Sequence, residues 1–363
     1  MDHRIKPLDG LRALAALGVI WIHTWRTFGN PGLLLFSVDM YKLMAIAGNG
    51  VDFFFVISGF CMYLITKNTL LDTKSYMHFL YKRFLRIAPA FYASVLVYGL
   101  LVKLNDHHFS FWYNIFFHAL FLNNVVTGNT ISGPFWSIGT EWHFYMVLPL
   151  LVYLSVKATL PKMLLLFSFF SIVLFCFVNK GYLNYGWWEF QIMVRFPEFA
   201  AGILAAFYYL KEKRLPRFFS GIAGLITGLV IMYAGRGMKF TPVLSAAGSR
   251  AFLLKSLADV VMTAGFALVL FHVVTVHSFF SKWLSRKWIN YLGRISYSIY
   301  LWHSLSIIIL SPLLHQLNFG SLNVVIAFIL ILSLTVVISH FSYQWLEAFY
   351  FKRNQKSLLV LSQ

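Results

Sequence analysis

Charged residues are scarce in this chain of 363 residues, and acidic residues are the scarcest, with 12 Asp and Glu against 30 Lys and Arg. Charged residues make up only 12% of the sequence, whereas about a quarter is usual for a soluble domain. Hydrophobic residues make up 59%, and the mean hydropathy is +0.71. The shortage of charge excludes an ordinary soluble domain and indicates a polytopic membrane protein.

Cysteine is nearly absent too. Cys61 and Cys176 both lie in apolar segments with no metal-ligand spacing around them, so we predict neither a disulfide framework nor a metal site. The formal charge of +18 would suit a nucleic-acid partner, but the basic residues lie mostly in short loops between apolar runs, which is typical of topology signals. We therefore expect membrane lipids, and no nucleic acid, as partners.

Long apolar runs are abundant. Ten could cross a bilayer, near residues 8–25, 50–66, 87–102, 142–156, 163–178, 196–210, 218–234, 256–276, 295–312 and 322–346. The first carries no cleavable small-residue site, so we interpret it as a retained span. An eleventh run, 109–124, is short and interrupted by His118. The excess of Lys and Arg falls on the cytoplasmic side only if this run does not cross.

The sequence thus predicts an all-α fold, a polytopic transmembrane helical bundle of about ten spans with both termini cytoplasmic. The stretch near 109–124 becomes a candidate re-entrant segment within an external excursion. We expect residues 1–350 to form one transmembrane domain and residues 351–363 a short cytoplasmic tail, with no soluble domain attached.

Two ionisable residues stand in the first apolar run, "LRALAALGVIWIHTW" (11–25). Arg12 and His23 are eleven residues apart, or about three helical turns, so they share one face at a separation of about 16 Å. Ionisable groups at such depth are costly unless they face a cavity or a partner, which favours a functional site. The alternative is that Arg12 reaches the lipid headgroups and His23 bonds a neighbouring carbonyl.

The second run opens with "GVDFFFVISGF" (50–60), which puts Asp52 near the membrane surface on the same half as His23. Asp52 could orient or charge that imidazole. Ser58 and Gly59 permit close helix approach, and packing alone is an alternative explanation for both.

Two further stretches suggest binding groups. In "YKRFLRIAP" (81–89), Arg83 and Arg86 fall on one helical face, where two guanidinium groups could hold the phosphates of a nucleotide-bearing donor or simply anchor a cytoplasmic loop. In "SGPFWSIGTEWHFY" (132–145), Ser137, Glu141 and Tyr145 recur every four residues and predict a polar stripe at the external end of a span. A helix cap or a helix-terminal ion pair is the alternative interpretation of Glu141.

Polar residues also open two later spans. "RFPEF" (195–199) carries Arg195 and Glu198, and "GRISYSIYLWH" (293–303) sets Ser296, Tyr300 and His303 along one face. Each set could line the same cavity, although taken singly either is more often structural. We interpret the remaining histidines in apolar runs as packing residues: His118, His143, His272 and His340.

Taken together and in this order, these motifs resemble the acyltransferase-3 family of membrane acyltransferases over roughly residues 6–350. The resemblance implies a ten-span core that moves an acyl group, usually acetyl from acetyl-CoA, to hydroxyls of extracytoplasmic glycans. Arg12 and His23 match the family's essential first-span pair, and Glu141 belongs to its S-x3-E-x3-Y motif. Trp142 departs from the pattern, since many members carry a second carboxylate there.

The resemblance leads to the following assignment, in a bacterial inner membrane. We expect His23 to act as general base or transient acyl carrier, with Glu141 and Arg12 as further catalytic residues. Arg83 and Arg86, with Arg12, would bind acetyl-CoA, a substrate and not a permanently bound cofactor. The acceptor or channel side would be lined by Asp52, Ser58, Ser137, Tyr145, Arg195, Glu198, Ser296, Tyr300 and His303. The alternative function is a transporter or flippase of an anionic glycolipid.

Overall fold

A computed structural model describes residues 5–36, 38–67, 72–126, 131–156, 160–180, 182, 185–211, 221–240, 251–316 and 320–348. The predicted tail, 351–363, lies outside the described residues. Within them the regular secondary structure is helical apart from one two-residue antiparallel ladder, in which Leu34 pairs with Asp39 and Leu35 with Val38.

Fifteen α-helices make up the described part of the chain. They are α1 (Lys6–Thr27), α2 (Met40–Met44), α3 (Gly50–Thr66), α4 (Thr73–Asn105), α5 (Phe111–Ala119), α6 (Trp136–Val156), α7 (Leu160–Asn179), α8 (Tyr185–Trp188), α9 (Ile192–Leu210), α10 (Gly221–Phe240), α11 (Ala251–Thr275), α12 (Phe279–Leu284), α13 (Lys287–Arg294), α14 (Ser296–Leu314) and α15 (Asn323–Ser342). A π-helical turn, Tyr343–Glu347, continues α15.

Among the residues that the structure describes, eight helical segments are long and apolar enough to cross a membrane. They are Met40–Thr66, Thr73–Asn105, Leu160–Val178, Ile192–Leu210, Gly221–Met238, Ser256–Thr275, Ser296–Leu314 and Asn323–Glu347. Apolar runs of this length form helices because lipid offers no partner for backbone N–H and C=O groups. The long helices α1 and α6 are absent from this set of described spans, and they carry Arg12, His23 and Glu141.

The candidate re-entrant segment contains α5, a helix of nine residues. At about 1.5 Å per residue it extends only about 13 Å, less than half of a hydrocarbon core of about 30 Å. His118 fixes its end, because Nδ1–H donates to Asn114 O at 2.7 Å and Nε2 accepts from Ile131 N at 3.3 Å. Burial lowers the pKa of His118 to about 4.

Contacts within the chain divide it into two compact units. The first unit comprises the described parts of Met1–Ala15, Asn49–Tyr76 and Trp136–Gly293. In it α3 packs closely on α9, because both helices present glycine at their crossing. A Cβ on Gly59 would lie 2.2 Å from Phe199 O, so only glycine allows this approach.

The second unit comprises the described parts of Ala16–Gly48, Met77–Phe135 and Arg294–Gln363. In it α14 packs on α15, and aromatic rings fill the space between α4 and α14. Tyr98 Oη accepts from Leu305 N at 2.7 Å and donates to Leu301 O at 3.1 Å, which ties α4 to α14. The prediction of one domain over 1–350 stays a prediction.

Candidate active site

Arg12 lies one turn after Asp9 on α1. Its Nη1 donates to Asp9 Oδ1 at 3.2 Å, and its Nη2 donates to Cys61 Sγ on α3, also at 3.2 Å. The Arg12 side chain is 22% exposed, whereas that of Asp9 is almost fully buried. The guanidinium is therefore neutralised locally and held by α3, which is the way a charge is tolerated in an apolar bundle. It does not reach outward as the snorkelling alternative requires.

Glu141 receives two hydroxyl hydrogen bonds in the same unit. Its Oε1 accepts from Ser58 Oγ at 2.8 Å and from Tyr145 Oη at 2.5 Å. Because α6 begins at Trp136, Ser137 lies on this helix as well, and the predicted polar stripe falls on one helical face. Glu141 also interacts electrostatically with Arg12.

The link between these two charged groups is α3. Ser58, which donates to Glu141, and Cys61, which accepts from Arg12, are three residues apart and therefore share one face of that helix. The structure thus brings together four residues from three separate sequence motifs, Arg12, Ser58, Glu141 and Tyr145. Cys61, interpreted from sequence as an ordinary apolar-segment residue, belongs to the cluster too.

A second charged cluster in the first unit centres on Arg195. Its Nη1 lies 3.4 Å from both Asp52 Oδ1 and Glu198 Oε1, and its Nε donates to Glu189 O at 2.7 Å. The guanidinium also stacks on Trp136, with its carbon 5.3 Å from the ring centroid. One cation therefore serves two carboxylates whose side chains are no more than 12% exposed.

Asp52 is fixed from its other side as well. Its Oδ2 accepts from Asn49 Nδ2 at 2.6 Å, and Asn49 Oδ1 accepts in turn from Arg236 at 3.3 Å. Asn49 and Arg236 are members of this network that sequence reasoning missed, because neither stands in a motif. The expected role of Asp52 in orienting His23 stays a prediction.

A cavity of about 10 Å³, close to the space that one water molecule needs, borders this network. Its lining includes Arg195, Glu198, Asp259 and Thr263. Glu198 Oε2 is buried and has no hydrogen-bond partner among the described residues. A single water would satisfy it.

In the second unit, His23 lies against His303. The ring centroids are 5.2 Å apart at an interplanar angle of 63°. His303 is fully buried, and its Nδ1–H donates to Tyr300 O at 2.7 Å. Tyr300 Oη donates to Pro134 O at 2.6 Å. Three of the predicted residues, His23, Tyr300 and His303, therefore lie together.

The two basic residues of α4 differ in their surroundings. Arg83 is buried, and its guanidinium carbon lies 5.5 Å from the ring centroid of Phe79. Arg86 interacts electrostatically with Glu347, which is 1% exposed and accepts a 2.5 Å hydrogen bond from Ser298 Oγ. Glu347 was missed from the sequence, although it is the only acidic residue after position 320.

The structure also shows where two other residues named from the sequence lie. Ser296 is buried at the start of α14. His272 is buried, and its Nε2 lies 3.0 Å from Ser278 Oγ, a packing position like that of His118. In the part of the chain that the structure describes, no group of three His, Cys, Asp or Glu side chains is arranged to hold a metal ion.

Comparison with known proteins gives a chain-wide match. The sequence model of the acyltransferase-3 family, described as an acyltransferase domain, matches residues 5–342. The peptidoglycan O-acetyltransferase OatA of Listeria monocytogenes is 27% identical over 85% of this chain and 50% of its own length. The O-acetyltransferase OatA of Staphylococcus aureus is 26% identical over 98% of this chain and 59% of its own. The chain thus spans about half to three-fifths of the length of these relatives. No solved structure matches it significantly.

Proposed function

Because this chain belongs to the acyltransferase-3 family, we propose that it is an integral membrane O-acetyltransferase. It would move an acetyl group from cytosolic acetyl-CoA to a hydroxyl of a cell-surface or lipid-linked polysaccharide, such as lipopolysaccharide O-antigen. The Listeria relative is a peptidoglycan O-acetyltransferase, which makes peptidoglycan a second acceptor to test. The structural observation that carries the proposal is the Arg12 and Glu141 cluster, a cation and a carboxylate tied together by α3 among apolar helices.

The proposed topology has ten spans in a bacterial inner membrane, with both termini cytoplasmic and a single transmembrane domain over 1–350. Ten result if α1 and α6 cross as well as the eight apolar segments. With 22 and 21 residues, each is long enough for a core of about 30 Å. Arg12 and Glu141, charged residues within these helices, are hydrogen-bonded to protein groups, which reduces the cost of burying them.

We assign each group of polar residues a role in the proposed reaction. Arg83 and Arg86, with Arg12, would bind the phosphates or the thioester carbonyl of acetyl-CoA, since guanidinium groups suit both oxyanions and carbonyls. Glu141 would act with Arg12 in catalysis. The acceptor side would be lined by Asp52, Ser58, Ser137, Tyr145, Arg195, Glu198, Ser296, Tyr300 and His303.

In the proposed reaction, His23 takes the proton of the acceptor hydroxyl while the hydroxyl oxygen attacks the carbonyl carbon of the thioester. A C–O bond forms, the C–S bond breaks, and the coenzyme A thiolate takes up a proton. Transfer through an acyl-His23 intermediate has the same balance in two steps. Holding donor and acceptor together can supply about 7–11 kcal/mol of the acceleration.

The test uses purified protein and cells. We expect protein in lipid nanodiscs to release coenzyme A from labelled acetyl-CoA in the presence of acceptor glycan. The His23→Ala variant should release no coenzyme A, although it elutes from size-exclusion chromatography as a folded protein. The His118→Asn variant should still release coenzyme A. Mass spectrometry of surface polysaccharides, with and without the gene, identifies the acceptor. Full acetylation in cells carrying His23→Ala would contradict the catalytic assignment, and glycolipid translocation without acyl transfer would favour a flippase.

A further inference from the structure

His303 is buried in a way that packing does not require. It is 0% exposed and lies edge to face with His23 across α1 and α14, at 5.2 Å between ring centroids. A leucine or phenylalanine would fill the same space without burying two polar nitrogens, each of which costs free energy unless it is hydrogen-bonded. Filling space in the core therefore does not explain why a histidine is buried at position 303.

The orientation of the His303 ring is set by its own helix. Because Nδ1 lies 2.7 Å from Tyr300 O, a carbonyl, Nδ1 must carry the proton. Nε2 is then an acceptor, and Ser304 Oγ lies 3.4 Å from it. Tyr300 is fixed in turn by its hydroxyl bond to Pro134 O. The ring plane, the rotamer and the tautomer of His303 are thus determined before any substrate binds.

His23 differs in this respect. It is partly exposed, and its ring lies against the ring of His303. We infer that His303 is a positioning residue, whose fixed ring holds the imidazole of His23 in the orientation that meets the acceptor hydroxyl. This inference rests on the proposed function. A misplacement of about 1 Å can lower a reaction rate roughly 100-fold, so the contact between the two rings is enough to affect kcat.

Three variants separate positioning from packing. His303→Asn keeps an amide N–H for Tyr300 O but removes the ring. His303→Phe keeps a ring against His23 but removes both nitrogens. His118→Asn is the matched control, because His118 is also fully buried and also donates from Nδ1 to a carbonyl one turn earlier.

The readout is kcat and KM for acetyl-CoA per folded molecule, taken from the monodisperse fraction in nanodiscs. We expect His303→Asn to lower kcat by about 10- to 100-fold with KM within about twofold. His303→Phe should recover most of that loss, and His118→Asn should lower only the folded yield. Equal kcat in His303→Asn and the wild type, or no recovery in His303→Phe, would overturn the inference while leaving the proposed function intact. A wild type without acyl transfer would instead remove the proposed function.

Discussion

The hydroxyl of Ser58 donates a 2.8 Å hydrogen bond to Glu141 Oε1, although the two residues are 83 positions apart in the chain. One turn later on the same helix, Cys61 accepts from Arg12. The apolar helix α3 therefore bonds a carboxylate on α6 and a guanidinium group on α1. Ser58 Oγ and Cys61 Sγ, two of the few polar atoms on this helix, each bond a charged residue of a neighbouring helix.

Ser58→Ala removes one of two hydroxyl donors to Glu141. We expect kcat to fall about tenfold, because a hydrogen bond to a charged group contributes about 1.5–3 kcal/mol and only part of this acts on the transition state. Tyr145→Phe removes the other donor, and the two losses should not be additive, since both bonds end on the same oxygen. A double-mutant cycle on kcat measures the coupling. Ser285→Ala, which loses a bond to a backbone carbonyl, is the control, and additive losses would contradict the arrangement.

The crossing of α3 and α9 should not tolerate a methyl group. Gly59→Ala would place Cβ 2.2 Å from a backbone oxygen, which forces the helices apart, so we expect a loss of stability of about 3 kcal/mol or more. Gly237→Ala, where a Cβ would meet nothing within 4 Å, should be neutral or gain about 0.5–1 kcal/mol. Thermal unfolding in detergent compares the two, and similar midpoints would refute the close approach.

Arg195→Met should be among the most damaging single changes. It leaves Asp52 and Glu198 without their shared cation, and removing one partner of a buried ion pair costs about 3–5 kcal/mol. Arg286 is exposed, so Arg286→Met should change stability by less than about 0.5 kcal/mol. Unfolding by denaturant checks the difference between the variants.

Glu347→Gln keeps a hydrogen-bond acceptor for Ser298 but removes the charge that acts on Arg86. If Arg86 binds the anionic donor, the loss of this buried negative charge should lower KM for acetyl-CoA by about two- to fivefold, since the coupling is of order 0.5–1 kcal/mol. Ser298→Ala, which loses the bond and keeps the charge, should leave KM unchanged. An unchanged KM in both variants would mean that Arg86 only anchors its loop.

Stability should fall in mild acid because of His118. Burial lowers its pKa from 6.5 to about 4, so the unfolded chain binds this proton more readily than the folded one. The contribution is fully present above about pH 6.5 and declines as the pH falls towards 4, by about 2 kcal/mol at pH 5. His118→Asn should be less stable at pH 7 and should lose less between pH 7 and 5. Parallel unfolding curves at the two pH values would exclude this origin.

The sequence by itself determined the class of the protein and the local geometry of each helix. Apolar runs in lipid have to become helices, and the 3.6-residue period then fixes which residues share a face, as for Ser137, Glu141 and Tyr145. It also indicated that 109–124 does not cross, and α5 is too short to do so. Family membership followed from the order of the motifs and is confirmed.

Only the tertiary structure decided which polar side chains become partners. Membrane sidedness could not show that Asp52 bonds Arg195 and Asn49, or that the ring of His303 lies against His23. Helix period fixes directions within one helix, but partners across helices depend on close packing, which two glycines set at the α3 and α9 crossing. The sequence did not single out Glu347 for the same reason: it stands outside the motifs, and its importance comes from its contacts with Ser298 and Arg86.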